Sequence, residues 1–149
     1  RSRGLGDVYK RQDVLNSIFT QAIEENLRDV AEGGSFYEEY IKAASLLVQY
    51  RDVVIHVYNS KNRDIVTNYL ERVTAEIVRG YIARKSEGQN ISDKDLEFIS
   101  YFYSYAIIGS TYKWIESGMQ ADFKHFIGKI ADSIEATLPV MISNAGKED

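Results

Sequence analysis

Two spacings in this chain put a carboxylate and an imidazole on one helix face: Asp52 with His56, four apart, and Asp122 with His125, three apart. Side chains at those intervals are neighbours on a helix surface, and in helical bundles such pairs can supply metal ligands. A di-metal bundle site needs further inward carboxylates, however, and Asp122 and His125 fall opposite the apolar stripe of their own helix. Both pairs therefore read as solvated ion pairs, and His56 as a satisfied, semi-buried residue. There is no Gly-rich phosphate loop, no G-x-S-x-G, no H-E-x-x-H and no Cys. Nucleotide, serine-hydrolase, zinc-protease and thiol chemistries thus lack their motifs. No catalytic residue, metal or cofactor is predicted, and the chain is not expected to be an enzyme.

The other chemically distinctive residues are aromatic. Residues 101–119, YFYSYAIIGSTYKWIESGM, hold four of the eleven tyrosines and the single Trp. Tyr joins an apolar face to a hydroxyl, so it suits either a core in which the hydroxyl is bonded or the wall of a small-molecule cavity. On a helical projection Phe98, Tyr101, Tyr105, Ile108 and Tyr112 share one face. Phe102, Ala106, Gly109 and Lys113 lie beside it, and Leu96, Tyr103, Ile107 and Trp114 form a third. Only Glu97, Ser100, Ser104 and Thr111 make a plainly polar sector. Tyr101, Tyr105 and Tyr112, with Tyr50 and Tyr69 from helices expected to pack nearby, are the candidate residues for a small apolar or aromatic ligand. A helix apolar over most of its circumference needs cover on more than one side: its own core and a second subunit. The predicted homodimer interface uses Phe102, Ala106 and Gly109 on this helix and Phe126, Ile130 and Ile134 on the next.

The elements that must hold these residues are helical. Val14, Leu15, Ile18, Phe19, Ala22, Ile23 and Leu27 recur at three- and four-residue steps from Asp13 onward, and Gly33-Gly34 ends that helix. Ser35 with Glu38 has capping-box spacing, so a second helix starts at about Phe36. VVIHVY (53–58) has strand propensity, but no second run exists to pair with it, so it is read as helix. Ile65 to Tyr81 define a long helix that fades at Glu87-Gly88. Ser92 with Asp95, flanked by Ile91 and Leu96, marks a capping box and a hydrophobic staple. Gly118 suits a left-handed cap after Trp114-Ile115-Glu116-Ser117. The last helix runs from about Asp122 with a stripe of Phe123, Phe126, Ile127, Ile130, Ile134, Leu138 and Met141, and a kink or an end is expected at Pro139. The fold class is all-α, a bundle of about six helices.

Composition narrows the setting. The chain has 149 residues, 44% hydrophobic and 27% charged, enough to bury a self-sufficient core. Its net charge is −4, and the few clustered bases, Arg1, Arg3, Lys10 and Arg11, lie at the N-terminus. Phosphate neutralisation dominates nucleic-acid affinity, so these residues alone should bind DNA poorly. RSRGLGDVYKRQ (1–12) lacks an initiating Met and any apolar period, and reads as a non-native scar or linker outside the fold. The apolar runs are too short for a membrane span and no signal peptide is recognisable, so no membrane partner and a cytoplasmic location are expected.

The string Tyr105-Ala106-Ile107-Ile108-Gly109, followed by Trp114-Ile115-Glu116-Ser117-Gly118-Met119, resembles the C-terminal regulatory domain of TetR-family transcriptional repressors. The order of helices over residues 13–149 fits that domain. The resemblance implies a ligand cavity between the helices and dimerisation by the last two helices, paired into a four-helix bundle. It also implies DNA contact only through an N-terminal helix-turn-helix domain, which residues 1–12 do not supply. A stand-alone helical dimerisation module without a ligand is the alternative.

Overall fold

Ser35 and Ser92 start helices as their spacing predicts: each hydroxyl accepts from the backbone N–H three residues on, Glu38 and Asp95, at 3.1 Å. The computed structural model describes the backbone of residues 2–120 and 122–147 and the side chains of 10–120 and 122–146. Among the described residues there are six helices and no strand: α1 (Ser2–Glu32), α2 (Phe36–Gln49), α3 (Arg51–Tyr58), α4 (Asp64–Lys85), α5 (Asp93–Glu116) and α6 (Phe123–Lys147). The β-branched run 53–58 is α3, as the missing partner strand requires. Gly118 is left-handed, with φ +83, and Met119 follows it at φ +57. Their N–H groups return to Ile115 O and Trp114 O, both at 2.9 Å, closing the end of α5.

α4 is the central element, packed against α1, α2, α3 and α5. Its residues Val66, Leu70, Val73, Ile77 and Val78 are all buried. α1 approaches it closely at Gly80, where an added Cβ would lie 2.5 Å from Val30 Cγ1. Further along, Phe19 of α1 stacks on Tyr69 of α4, centroids 4.1 Å apart, and the Tyr69 hydroxyl donates to Ala43 O of α2 at 3.0 Å. One tyrosine thereby joins three helices. Thr111 donates to Ile107 O at 2.9 Å, so the 2.8 Å contact between its oxygen and Tyr40 is donated by the tyrosine. Each such buried bond contributes about 1 kcal/mol net, and losing one partner costs more than that.

Three details differ from the sequence reading. α1 begins well before Asp13, and Gln12 is buried, its side-chain oxygen accepting from Asn62 Nδ2 at 3.0 Å. α6 does not end at Pro139 but runs on to Lys147. Glu135, whose carbonyl loses its donor there, and Pro139 are both on the exposed side, where water can replace the bond, while Leu138 and Ile142 are anchored in the core. Thr111, placed in the polar sector of α5, is fully buried because Tyr40 meets its hydroxyl.

Candidate functional site

The core face of α5 is Ile99, Tyr103, Ile107, Thr111, Trp114 and Ile115. Packing those residues inward turns the neighbouring aromatics out: Phe98, Tyr101, Phe102 and Tyr105 are 45%, 49%, 50% and 68% exposed. They touch one another along the helix, with centroid separations of 5.3 Å for Phe98–Tyr101, 5.9 Å for Phe98–Phe102 and 6.2 Å for Tyr101–Tyr105. This aromatic ridge separates two grooves.

On one side, between α5 and α6, lies a groove of about 370 Å³. Five of the six residues expected at a dimer interface line it: Phe102, Ala106, Phe126, Ile130 and Ile134. Ile134 is its floor, only 1% exposed and already spent on the protomer's own core. Phe126 is held against Trp114, rings stacked at 5.4 Å. The sixth, Gly109, is exposed on α5, and a Cβ built on it meets nothing within 4 Å.

On the other side, between α4 and α5, a groove of about 550 Å³ is lined by Tyr101, Tyr105 and Ile108, with Leu96 at one end and Glu71 and Arg79 across from them on α4. Two of the five candidate ligand tyrosines therefore share a wall. The other three are elsewhere. Tyr69 is part of the solid core, 2% exposed, and burial lifts its phenol far above the usual range. Tyr50 sits at the α2–α3 junction in a separate groove with Val14 and Val53. Tyr112 leans on Tyr58, 5.7 Å between centroids, with its hydroxyl buried beside Thr67 and no well-aligned hydrogen bond. Burial first, and the Glu71 carboxylate second, raise its pKa to about 12.

The two His–carboxylate pairs gather no third ligand: among the described residues, no group of three or more His, Asp or Glu could hold a metal. No helix of the described residues is long and apolar enough to cross a membrane. Sequence reasoning missed Glu39, which is 6% exposed and takes one contact from Arg84 at 3.3 Å. The signal was available, because Glu39 falls on the same face of α2 as the buried Phe36, Ala43 and Leu47.

A family described as Transcriptional regulator C-terminal region, of TetR type, matches residues 34–136. The chain belongs to this TetR C-terminal family. The match begins at the α1–α2 turn and carries through α5 into α6, so it contains the ridge, the α4–α5 groove and all of the α5–α6 groove lining except Thr137. Domains of the TetR C-terminal family are regulatory rather than catalytic. No curated protein and no solved structure matches the chain.

Proposed function

We propose that this chain is the ligand-sensing and dimerisation region of a TetR-like repressor, acting on DNA only through a helix-turn-helix domain carried elsewhere in the full regulator. The observation that carries the reading is the half-exposed aromatic ridge of α5. Contiguous apolar surface of this kind marks an interaction site, and here each flank of the ridge faces a groove. A second copy related by a two-fold axis covers the α5–α6 side through Phe102, Ala106, Gly109, Phe126 and Ile130. A small apolar or aromatic ligand lies in the α4–α5 groove against Tyr101 and Tyr105. Because α5 forms a wall of both, a ligand that shifts α5 changes the geometry of the dimer and hence the spacing of two DNA-binding domains on operator half-sites.

The test is a thermal-shift screen of lipophilic aromatic compounds against the chain and against Tyr105→Ala. A ligand of the native state raises stability by about 2.7 kcal/mol at a hundredfold excess over its Kd. Stabilisers should emerge for the parent and fade in the variant, whose sedimentation remains that of the parent. The ligand-free dimerisation module is favoured by one observation, the solid packing of Tyr69. It prevails if no compound stabilises the parent.

A further inference from the structure

Charge is spread unevenly along the α4–α5 groove. Glu71, Ala75 and Arg79 follow one another at four-residue steps on α4, so they form one row across from Tyr101, Tyr105 and Ile108 of α5. After burial, the Glu71 carboxylate is the strongest influence raising the Tyr112 phenol. Tyr112 lies one turn beyond Ile108, so Glu71 stands beside the C-terminal half of α5, with Tyr105 and Ile108 for neighbours. Arg79 is two turns further along α4, about 12 Å away at the usual rise. Its guanidinium is already engaged by Glu76 at 2.9 Å.

Three carboxylates, Glu71, Asp93 and Glu97, thus line the groove against one base, and among the described residues none of the three is within ion-pair distance of a cation. Asp93 has an ordinary role, complementing the positive end of α5. Glu71 has no such role, because the acid in the first turn of α4 is Asp64. A lone surface acid is usually no more than solvated. What sets Glu71 apart is the wall it faces: a groove of about 550 Å³, within the size range of small-molecule sites, carrying the exposed rings of Tyr101 and Tyr105, tilted 60° to each other. The face of an aromatic ring attracts positive charge, as a carboxylate does.

We infer that the ligand of this groove is an aromatic cation, its positive charge held between the Glu71 carboxylate and the Tyr105 ring and its apolar body laid towards Tyr101 and Leu96. The inference rests on the reading of the groove as a ligand site and names the charge that ligand carries. An anion would meet three carboxylates and an engaged guanidinium. A neutral aromatic would gain nothing from Glu71. Among the described residues no three acids converge on a metal, so the cation is organic.

Equilibrium dialysis of the full chain against tetraphenylphosphonium, triphenylphosphine oxide and tetraphenylborate compares a cation, a neutral molecule and an anion with closely similar aromatic surfaces. The phosphonium should bind saturably and about tenfold more tightly than the phosphine oxide, since a half-exposed ion pair and a cation–π contact are each worth up to about fivefold. The borate should not bind, and added salt should narrow the preference. Glu71→Gln, at an exposed position, should weaken the phosphonium about fivefold and leave the phosphine oxide unchanged. Tyr105→Leu, which keeps apolar contact without a ring face, should weaken the phosphonium about two- to fivefold. Glu97→Gln, the same loss of charge at the Arg79 end, should have a smaller effect than Glu71→Gln. Equal binding of phosphonium and phosphine oxide would overturn the inference and leave the sensor reading standing, whereas binding of none of the three would overturn both. Unchanged phosphonium affinity in Glu71→Gln, or an equal loss in Glu97→Gln, would overturn the placement of the charge, with folding of each variant checked by circular dichroism.

Discussion

Placing Leu at position 109 separates what the protomer needs from what the dimer needs. Gly109 lies on the exposed side of α5, and a side chain there would meet nothing within 4 Å in the protomer. Removing a glycine from a helix interior is worth ~0.5–1 kcal/mol to the isolated fold. If the helix packs on its counterpart at this point, Leu must be accommodated between two backbones, and overpacking of that kind costs ~1–3 kcal/mol. Two-fold symmetry applies the change twice, for ~2–6 kcal/mol per dimer, or roughly a 30- to 20,000-fold weaker dimerisation constant. Sedimentation equilibrium over a wide concentration range measures that constant, and a thermal melt at a dilution where the chain is monomeric measures the protomer. The expected pattern is a melt equal to or above that of the parent with a dimer that dissociates at far lower dilution. An unchanged dimerisation constant would refute the interface, as would a parent chain that sediments as a monomer at every concentration.

Three further outcomes test the packing. Phe19→Ala, which unstacks Tyr69 and opens the α1–α4 contact, should cost about 3–5 kcal/mol in denaturant titration. The Glu39 carboxyl, raised above 4.5 by burial and opposed by Arg84, with Asp29 and Glu38 also facing it, keeps a proton that the unfolded chain sheds. Stability should therefore fall as pH rises from 4.5 through its folded pKa, and Glu39→Gln should flatten that slope in melts across the acid range. Tyr58 is raised to about 12 by burial and then by its 2.7 Å bond to Glu116, and Tyr112 reaches about 12 mainly by burial. Both stay protonated where unfolded tyrosine ionises, so stability should be lost as pH climbs from 10 to 12, which ultraviolet titration and circular dichroism together will register.

What could be read from the sequence was what is decided locally. Ser35, Ser92 and Gly118 act on backbone groups within a few residues of themselves, so their spacing alone placed three helix ends. The helical state of 53–58 followed from an absence elsewhere in the chain. What could not be read was what is decided between helices. The projection of α5 shows which residues share a face, but nothing local tells which face a neighbour covers. Thr111 belongs to the core because a hydroxyl 71 residues away in sequence reaches it. Tyr69 and Tyr101 have similar local settings, yet one is sealed by Phe19 and the other stands in solvent. α6 does not end at Pro139 because the cost of proline assumes a buried, unreplaced hydrogen bond, and its turn of α6 faces water. Glu39 is not singled out by the sequence reading, although its position on the apolar face of α2 sets it apart.

The length of α1 has a mechanical consequence. Thirty-one residues in one unbroken helix make a rod of about 46 Å at the usual rise per residue. It is held along much of that length: Gln12 is tied to Asn62, Phe19 stacks on Tyr69, and near the C-terminal end Val30 abuts Gly80 and Asp29 pairs with Lys42. The anchors from Gln12 to Val30 span about 27 Å of the rod, so α1 moves as one rigid piece with the helices it is fastened to, and a displacement of either neighbour is carried along its whole length.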